Sequence, residues 1–378
     1  MKKIITIIIL LIILIPAPAN ADARLRDRII ELNPLRTGAD FTVVANNLNR
    51  ATQEGLFEAI DEHGTTYFFR GTHELNNNVI FAEHQWKILR IEGNGNIRLI
   101  YNGICPDNDC IINDSNAGAQ ATIGNHTFNS SAAHNRLIGY MFGDVSGTFE
   151  QQHSNLNSSR AKEFVDEWFD NNITGDSRLL VVNDTVFCVD RSLELGSGIG
   201  ADVTTYATES RISGTGIPIL ICPREEDRLT LPVGLITSDE ANMAGSRAGL
   251  NNLDFFLRTG QWYWTMSPRA FNGTIGTVFG ISAGGNSIAA NGVSASNAFR
   301  PVLSLNSEVT VTGDGSEDNP FVVTGIYVPQ ITEYPELPEY PNQTEVMPTA
   351  DNSLLASYII MAITSLVVSV VIIETKKI

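Results

Sequence analysis

The chain has 378 residues and a formal net charge of −17, from 25 basic and 42 acidic side chains. Such an acidic surface repels polyphosphate backbones, which argues against nucleic acid as a partner, and it also keeps a protein soluble. Between its two apolar ends the chain is long enough for one large core or two lobes.

The N-terminus has the three zones of a secretory signal. Two lysines precede the apolar run Ile4 to Ile15, and small residues follow at Ala19-Asn20-Ala21. The run is too short to cross a bilayer, which takes about 20 apolar residues. We therefore expect residues 1–21 to be a signal peptide cleaved after Ala21. Cleavage at Ala23 and an uncleaved N-terminal anchor are the alternatives.

A lead-in segment, residues 22–54, precedes an extracellular domain at residues 55–326. The domain opens with strand patterns. Thr65 to Arg70 is aromatic and β-branched, as strands prefer. Gln85 to Glu92 and Ile97 to Tyr101 flank the turn Gly93-Asn94-Gly95-Asn96, a strong hairpin signal.

Two helices are expected further along. The clearer one runs from about Ser159 to Asn171, where apolar residues share one face behind a serine cap. The second lies near Asp239 to Gly249. The chain then changes character, because Gln261 to Leu305 is rich in glycine and short strand-like runs. Val309 to Val323 predicts two strands around a glycine-rich turn, so the fold class is α+β.

The C-terminal end predicts a stalk and an anchor. Residues 327–352 carry recurring prolines and glutamates with no basic residue, which favours an extended chain. Residues 353–378 contain the apolar stretch Leu354 to Ile373, and at about 1.5 Å per residue a helix of that length is about 30 Å long and spans a membrane. The lysines after it fit a cytoplasmic end.

A short motif just before that helix resembles the sorting signal of Gram-positive wall proteins. Proline and threonine stand at Pro348 and Thr349, but the proline lies one place late and Ala350 replaces the usual glycine. Two outcomes follow, attachment to the wall through Thr349 or a plain membrane anchor. We favour the membrane anchor.

Four cysteines give an exported chain an even count, which suggests two disulfides. Three pairings exist, and we favour Cys105–Cys110 and Cys188–Cys222, with reduced thiols as the alternative. The spacing is not that of a zinc site. We expect no metal and no cofactor.

Catalytic motifs fail when their requirements are tested. Gly280 to Gly284 matches the nucleophile-elbow pattern, but no histidine follows the serine as the α/β-hydrolase order requires. Ser159 to Lys162 matches Ser-x-x-Lys, yet the later Lys-Thr-Gly is absent. The six histidines lack the His-Glu-x-x-His spacing of zinc hydrolases. We therefore name no catalytic residue.

A series of short blocks runs in order through roughly residues 55–325. The main blocks are Arg70-Gly71, Trp86 to Ile91, Ile97 to Tyr101, Gly139 to Gly143, Phe187 to Ser192, Gly234 to Ala241, Tyr263 to Pro268, Phe299 to Leu305 and Gly313 to Val323. Together they resemble an uncharacterised domain that is common in surface proteins of Firmicutes and their wall-less relatives. The resemblance implies a setting rather than an activity.

The C-terminal half is more loosely similar to C-type-lectin-like domains, including formylglycine-generating enzymes. The resemblance implies a C-type-lectin-like core with structural roles for its signature residues. Arg300 is expected to donate a planar fork of hydrogen bonds to backbone carbonyls. The signature residues are Trp86, Trp264, Ser267, Arg300 and Pro301.

The sequence thus predicts a non-catalytic cell-surface protein that displays a binding or adhesion domain for a glycan or protein ligand. Its address is the extracellular face of the cell membrane, held by a single C-terminal span, or else the cell wall. The small-residue stretch Phe271 to Asn297 is the candidate binding face, with plain surface strands and turns as the alternative. The alternative is a cell-wall or glycan-modifying hydrolase with an unidentified carboxylate pair.

Overall fold

The structure is a computed structural model that describes residues 23–108, 110, 118–214, 217–284 and 288–327. The predicted signal peptide, the stalk beyond Tyr327, the membrane helix and the sorting-like Thr349 lie outside the described residues. Within the described ranges, no helix has both the length and the apolar character needed to cross a membrane.

Seven α-helices and 21 strands are found in the described residues. The helices are α1 Leu25–Leu32, α2 Arg50–Gln53, α3 Phe149–Gln152, α4 Arg160–Asn172, α5 Gly175–Leu180, α6 Ala207–Ser213 and α7 Ser238–Met243. The strands of the first half are β1 Ala23–Arg24, β2 Leu35–Arg36, β3 Gly55–Asp61, β4 Gly64–Arg70, β5 Asn78–Phe81, β6 His84–Ile91, β7 Ile97–Ile104, β8 Asn125–Thr127, β9 Met141–Phe142, β10 Asn157–Ser158 and β11 Thr185–Cys188. The remaining strands are β12 Leu193–Leu195, β13 Thr204–Tyr206, β14 Arg228–Leu231, β15 Tyr263–Phe271, β16 Gly276–Ile281, β17 Ile288–Gly292, β18 Ser296–Ala298, β19 Val302–Leu305, β20 Val309–Thr312 and β21 Phe321–Ile326.

Two large sheets carry most of the strands, which confirms the α+β class. The first sheet has ten strands, in the order β1-β20-β21-β5-β6-β4-β3-β2, with β7 beside β6 and β19 beside β7. The second has seven, in the order β12-β13-β15-β16-β17, with β18 linking β15 to β8. Their inner faces share one core, from Leu25 to Phe321.

The predicted hairpin is confirmed. β6 and β7 pair antiparallel and are closed by the pair Ile91–Ile97, on either side of the expected glycine-rich turn. All eight residues of β6 are buried. A strand covered on both faces has no solvent side, so its sequence shows no simple alternation of polar and apolar residues.

The longer predicted helix is also confirmed, as α4. Ser159 caps it, accepting a hydrogen bond from the backbone N of Lys162 at 3.2 Å, and Ala161, Val165 and Phe169 are buried. α7 ends earlier than the sequence suggested, at Met243. Gly245 follows with φ of +118°, a conformation that stops a helix.

The lead-in segment contributes to the same core as the domain. β1 pairs antiparallel with β20 through Ala23–Val311. The helix that follows, α1, buries Leu25 and Ile29 in the main core.

Both predicted disulfides are confirmed. Cys105 pairs with Cys110, and Cys188 pairs with Cys222, with Cα separations of 4.4 and 5.5 Å. Cys188 ends β11, so the second bond fixes a distant loop to the sheet.

Candidate functional site

A cavity of about 30 Å³ lies beside β6 and α7, and charged side chains line most of it. A volume of this size holds one or two water molecules rather than a substrate. We call it the acidic cavity because carboxylates outnumber guanidinium groups in its wall. Its charged wall residues are Asp61, Glu62, Arg90, Glu92, Arg98, Asp190, Arg211, Asp239 and Glu240, with His63 beside them.

Two arginines and two glutamates form the centre of the cavity wall. Arg90 and Arg98 lie opposite each other on β6 and β7. Arg98 contacts Glu240 at 2.6 Å from Nε and Glu92 at 3.2 Å from Nη1, while Arg90 donates to Asp61. These four side chains are deeply buried, with exposed fractions of at most 8%: Arg90, Arg98, Glu92 and Glu240.

Glu240 reaches this position because it closes the first turn of α7. Its carboxylate accepts a hydrogen bond from the backbone N of Thr237 at 3.0 Å, and Thr237 Oγ1 accepts one from the Glu240 backbone N at 3.0 Å. This capping box uses one carboxylate oxygen and leaves the other for the arginines. Burial raises the pKa of Glu240, but Arg98 and Arg90 outweigh it, and the net pKa is lowered.

A second ion-pair group lies next to the first. Arg211 on α6 contacts Asp190 and, at 3.1 Å, Asp239 on α7. Burial raises the pKa of Asp239, although Arg211 opposes the rise, and the negative charge of Asp190 adds to it. Asp239 also accepts a hydrogen bond from the backbone N of Ile219 at 3.1 Å.

Ion pairs engage the five most buried carboxylates of the cavity wall. Each of them has an ion-pair contact with at least one of Arg90, Arg98 and Arg211. The five carboxylates are Asp61, Glu92, Asp190, Asp239 and Glu240. A glycosidase needs one carboxyl that keeps its proton and a second that is free to attack or to activate water. Within the described ranges, moreover, no group of three or more histidine, cysteine, aspartate or glutamate residues could hold a metal ion.

The outer wall of the cavity is one short segment, residues 217–222, which we call the wall segment. Leu220 forms a parallel bridge to Asp61 at the end of β3. Cys222 is bonded to Cys188, and its backbone N donates to Glu62 Oε1 at 2.6 Å. With the contact from Ile219 to Asp239, the segment is therefore held at four points.

The opposite side of the wall segment borders a groove of about 350 Å³ on the protein surface, which we call the apolar groove. Ile60, Ile217 and Ile221 line it with exposed fractions of 54%, 70% and 47%. Its floor is made of Phe41, Ala59 and Met243, which pack with Leu220. Three exposed isoleucines thus lie together on one groove rather than singly on the surface.

The groove follows an edge of the large sheet. β2 pairs with β3 only at Leu56 and Phe57, and the bridge to Leu220 comes at Asp61. Between them, in the part of the chain that the structure describes, the outer edge of Glu58 to Ile60 pairs with no strand. Pro218 in the wall segment has no amide hydrogen to offer to that edge.

The signature residues from the lectin-like resemblance lie in the interior. Trp86 donates from Nε1 to the Phe81 carbonyl at 3.0 Å, and Trp264 is fully buried against Phe128. Ser267 lies at the acidic cavity and accepts a hydrogen bond from the Ser238 backbone N. They are core residues, and none of them lines the apolar groove.

Arg300 and Pro301 join the two halves of the core. Arg300, fully buried, donates to the carbonyls of Tyr101 and Leu257, both at 2.8 Å, and to Asn102 Oδ1. The Pro301 carbonyl accepts a hydrogen bond from the backbone N of Tyr101. Its hydrogen-bond partners are neutral oxygens, including the Tyr263 hydroxyl at 3.3 Å, and burial lowers the pKa of Arg300.

The described part of the stretch Phe271 to Asn297 contains the end of β15, all of β16 and β17, and the start of β18. Phe271, Val278, Phe279 and Ile288 are buried in the core, whereas the four residues of the turn at 272–275 are exposed. The apolar groove lies elsewhere in the fold.

Sequence reasoning singled out Ser267 and Cys188 of the cavity wall, but neither its charged residues nor the groove. One signal was present, because Thr237 and Glu240 have the spacing of a capping box. The isoleucines at 217, 219 and 221 alternate around Pro218, but such a run is equally typical of a buried strand.

No family model matches the chain, and neither the curated proteins nor the solved structures contain a match.

Proposed function

We propose that this chain is a non-catalytic binding protein, exported and displayed on the outer face of the cell membrane, and that its ligand is an extended apolar segment of another protein. The observation that carries the proposal is the apolar groove beside the open edge of β3. The address rests on the sequence at the two ends of the chain.

The groove combines two features that favour a peptide over a glycan. An extended peptide gains main-chain hydrogen bonds by adding to an exposed sheet edge, and its side chains then fill neighbouring pockets. Glu58 to Ile60 provide such an edge, and Ile60, Ile217 and Ile221 provide aliphatic surface. Burying each isoleucine side chain stabilises a complex by up to about 1.5–3 kcal/mol.

The non-catalytic part of the proposal rests on the acidic cavity. Its carboxylates are buried and are paired with Arg90, Arg98 and Arg211. The cavity volume of about 30 Å³ is too small to accept a sugar ring. We infer that the ion pairs hold α6, α7 and the wall segment in place, so that the groove on the other side keeps a fixed shape. The C-type-lectin-like core remains part of the proposal on the strength of the signature residues.

Binding is tested with residues 23–327 immobilised and exposed to an array of extended apolar peptides. The groove variant is Ile60→Glu combined with Ile217→Glu, and the matched control is Leu179→Glu, which changes a leucine that is 75% exposed on α5. We expect the groove variant to lose affinity about tenfold or more, because two buried aliphatic contacts become charged. The control should bind as the parent does.

Equal binding by the groove variant, or no binding of any apolar peptide, contradicts the proposed ligand. Incubating the same protein with peptidoglycan and glycan arrays tests the other part, since release of a product overturns the non-catalytic reading.

The address is tested on whole cells. We expect the protein to be digested by external protease and to stay with the membrane during alkaline extraction. A C-terminus at Thr349 that carries a peptidoglycan fragment, found by mass analysis of surface-extracted protein, overturns the plain anchor.

A further inference from the structure

Two buried polar side chains face each other on adjacent strands, away from the acidic cavity. Asn78 begins β5 and Lys87 lies in β6, and the two residues are directly opposite in the antiparallel ladder. Their exposed fractions are 3% and 0%. Lys87 Nζ lies 2.6 Å from Asn78 Oδ1, which is the hydrogen bond that this amine makes.

This contact brings the amine close to an electrophilic carbon. The Oδ1 atom is about 1.23 Å from Cγ of the same amide, so Nζ lies at most about 3.8 Å from Cγ. Reacting atoms in near-attack geometry are about 3–3.5 Å apart. A small rotation of the lysine end is enough to reach that geometry, while the paired strands keep both backbones in place.

The amine is also in a reactive form. Burial lowers the pKa of Lys87 to about 7, with a further contribution from the positive charge of Arg300, while Glu317 opposes the change. An exposed lysine is almost fully protonated at neutral pH, whereas this one carries a free electron pair in a large fraction of molecules.

The amide is held from its other side. Asn78 Nδ2 donates to the Gly315 carbonyl at 2.9 Å, and the Asn78 backbone N donates to the same carbonyl at 3.0 Å. This fixes the amide so that its oxygen faces Lys87. Gly315 belongs to the turn between β20 and β21, which also carries Glu317.

We propose that Lys87 and Asn78 condense into an intramolecular isopeptide bond that crosslinks β6 to β5. The Nζ electron pair attacks Cγ and forms the Nζ–Cγ bond. One proton passes from Nζ to Nδ2, the Cγ–Nδ2 bond breaks, and Nδ2 leaves as ammonia. No atom is oxidised or reduced.

Peptide mapping of the full chain, as cells produce it, tests the bond. Trypsin does not cut after a lysine whose amine has become an amide. We expect peptide 71–90 with an intact bond after Lys87 and a mass lower by one ammonia, in place of peptide 71–87. A protease that cuts after glutamate should leave fragments 75–83 and 84–92 joined to each other. Recovery of free 71–87 at full yield with its asparagines intact overturns the proposal.

Variants separate the bond from accidental loss of ammonia. An asparagine that cyclises with its own backbone loses the same mass, but trypsin still cuts after Lys87 and the glutamate-specific fragments come apart, and this result also overturns the proposal. Lys87→Arg should abolish the joined fragments completely, whereas Lys162→Arg, at a lysine on α4, should leave them at the parental yield.

Discussion

The acidic cavity and the surroundings of Lys87 show two ways of keeping a basic group inside one protein. In the cavity the basic groups keep their charge: burial lowers the pKa of Arg90, but Glu92, Glu240 and Asp61 outweigh it and the net pKa is raised. Around Lys87 the same burial acts without a nearby carboxylate of equal strength, so the pKa of Lys87 falls to about 7. The countercharge, and not the depth of burial, decides between the two outcomes.

Arg300 sharpens this contrast because it is as buried as Arg98 and yet contacts carbonyls instead of carboxylates. A guanidinium stays charged in either setting, since its own pKa is high. Near Arg300 the protonated forms of Lys87 and His73 are disfavoured, and both side chains have lowered pKa values. The ion pairs of the acidic cavity thus hold charged side chains in fixed positions. The cation-rich region around Arg300 instead contains neutral, reactive nitrogens.

The largest effect is expected from removing the shared countercharge of the cavity. Glu240→Gln keeps the shape of the capping residue but leaves Arg90 and Arg98 undercompensated, so the free energy of unfolding should fall by about 3 kcal/mol. Urea titration of residues 23–327 measures it. Glu31→Gln removes an exposed ion pair with Arg28 and should change stability by less than about 1 kcal/mol. Equal losses in both variants contradict the contrast between the two regions.

A smaller change in folding stability is expected from lowering the pH, and it tests the cation-rich region around Arg300. Burial, together with the charges of Lys87, Arg258 and Arg300, lowers the pKa of His73 from 6.5 to about 3. In the unfolded chain His73 binds a proton below pH 6.5, whereas in the folded chain it binds one only below about pH 3. Folding stability is therefore lost as the pH falls from 6.5 to 3. Between pH 7 and 4.5 the loss due to His73 is about 2.5 kcal/mol.

Unfolding curves of His73→Gln and the parent at several pH values provide the measurement. The variant should lack this part of the acid sensitivity, while His63→Gln, at an exposed histidine, should keep it. Parallel pH profiles for the parent and His73→Gln refute the assignment.

The smallest of the three effects concerns hydrogen-bond geometry alone. Arg300→Lys keeps the positive charge but cannot reach the Tyr101 and Leu257 carbonyls together, so at least one buried acceptor is left without its donor. We expect a loss of about 2 kcal/mol in the same titration. Arg28→Lys, near the surface on α1, is the control and should change little. An unchanged Arg300→Lys protein indicates that charge, rather than the fork, holds this part of the core.

The sequence predicted the elements whose signals are local. The β6–β7 hairpin follows from its turn, and α4 follows from the spacing of Ala161, Val165 and Phe169 behind Ser159. The even cysteine count left three possible disulfide pairings, and the favoured one is the pairing in the structure. α7 was predicted too long, since polar residues near Gly245 do not show in advance where a backbone turns to positive φ.

The candidate site could not be predicted from such local signals. The Arg211–Asp239 pair and the Asp61–Leu220 bridge join residues that are far apart in sequence, and neither leaves a periodic pattern. An arginine within an apolar strand, such as Arg98, looks like a surface residue until its partner is located. The Lys87–Asn78 contact is nearer in sequence, but the register of β5 on β6 decides it, and a shift of one residue would turn the two side chains to opposite faces.

The pairing of β1 with β20 has a consequence for how the chain is made. β1, the first strand of the described chain, pairs only with β20, one of the last, and the ring of Tyr327, where the described chain ends, lies beneath the Arg24 guanidinium at 4.8 Å. Contacts between the two extremes of a chain raise its contact order and delay folding. β1 therefore stays unpaired until almost the whole domain is available to fold. The first sheet is complete only once the last hairpin, β20 and β21, has formed.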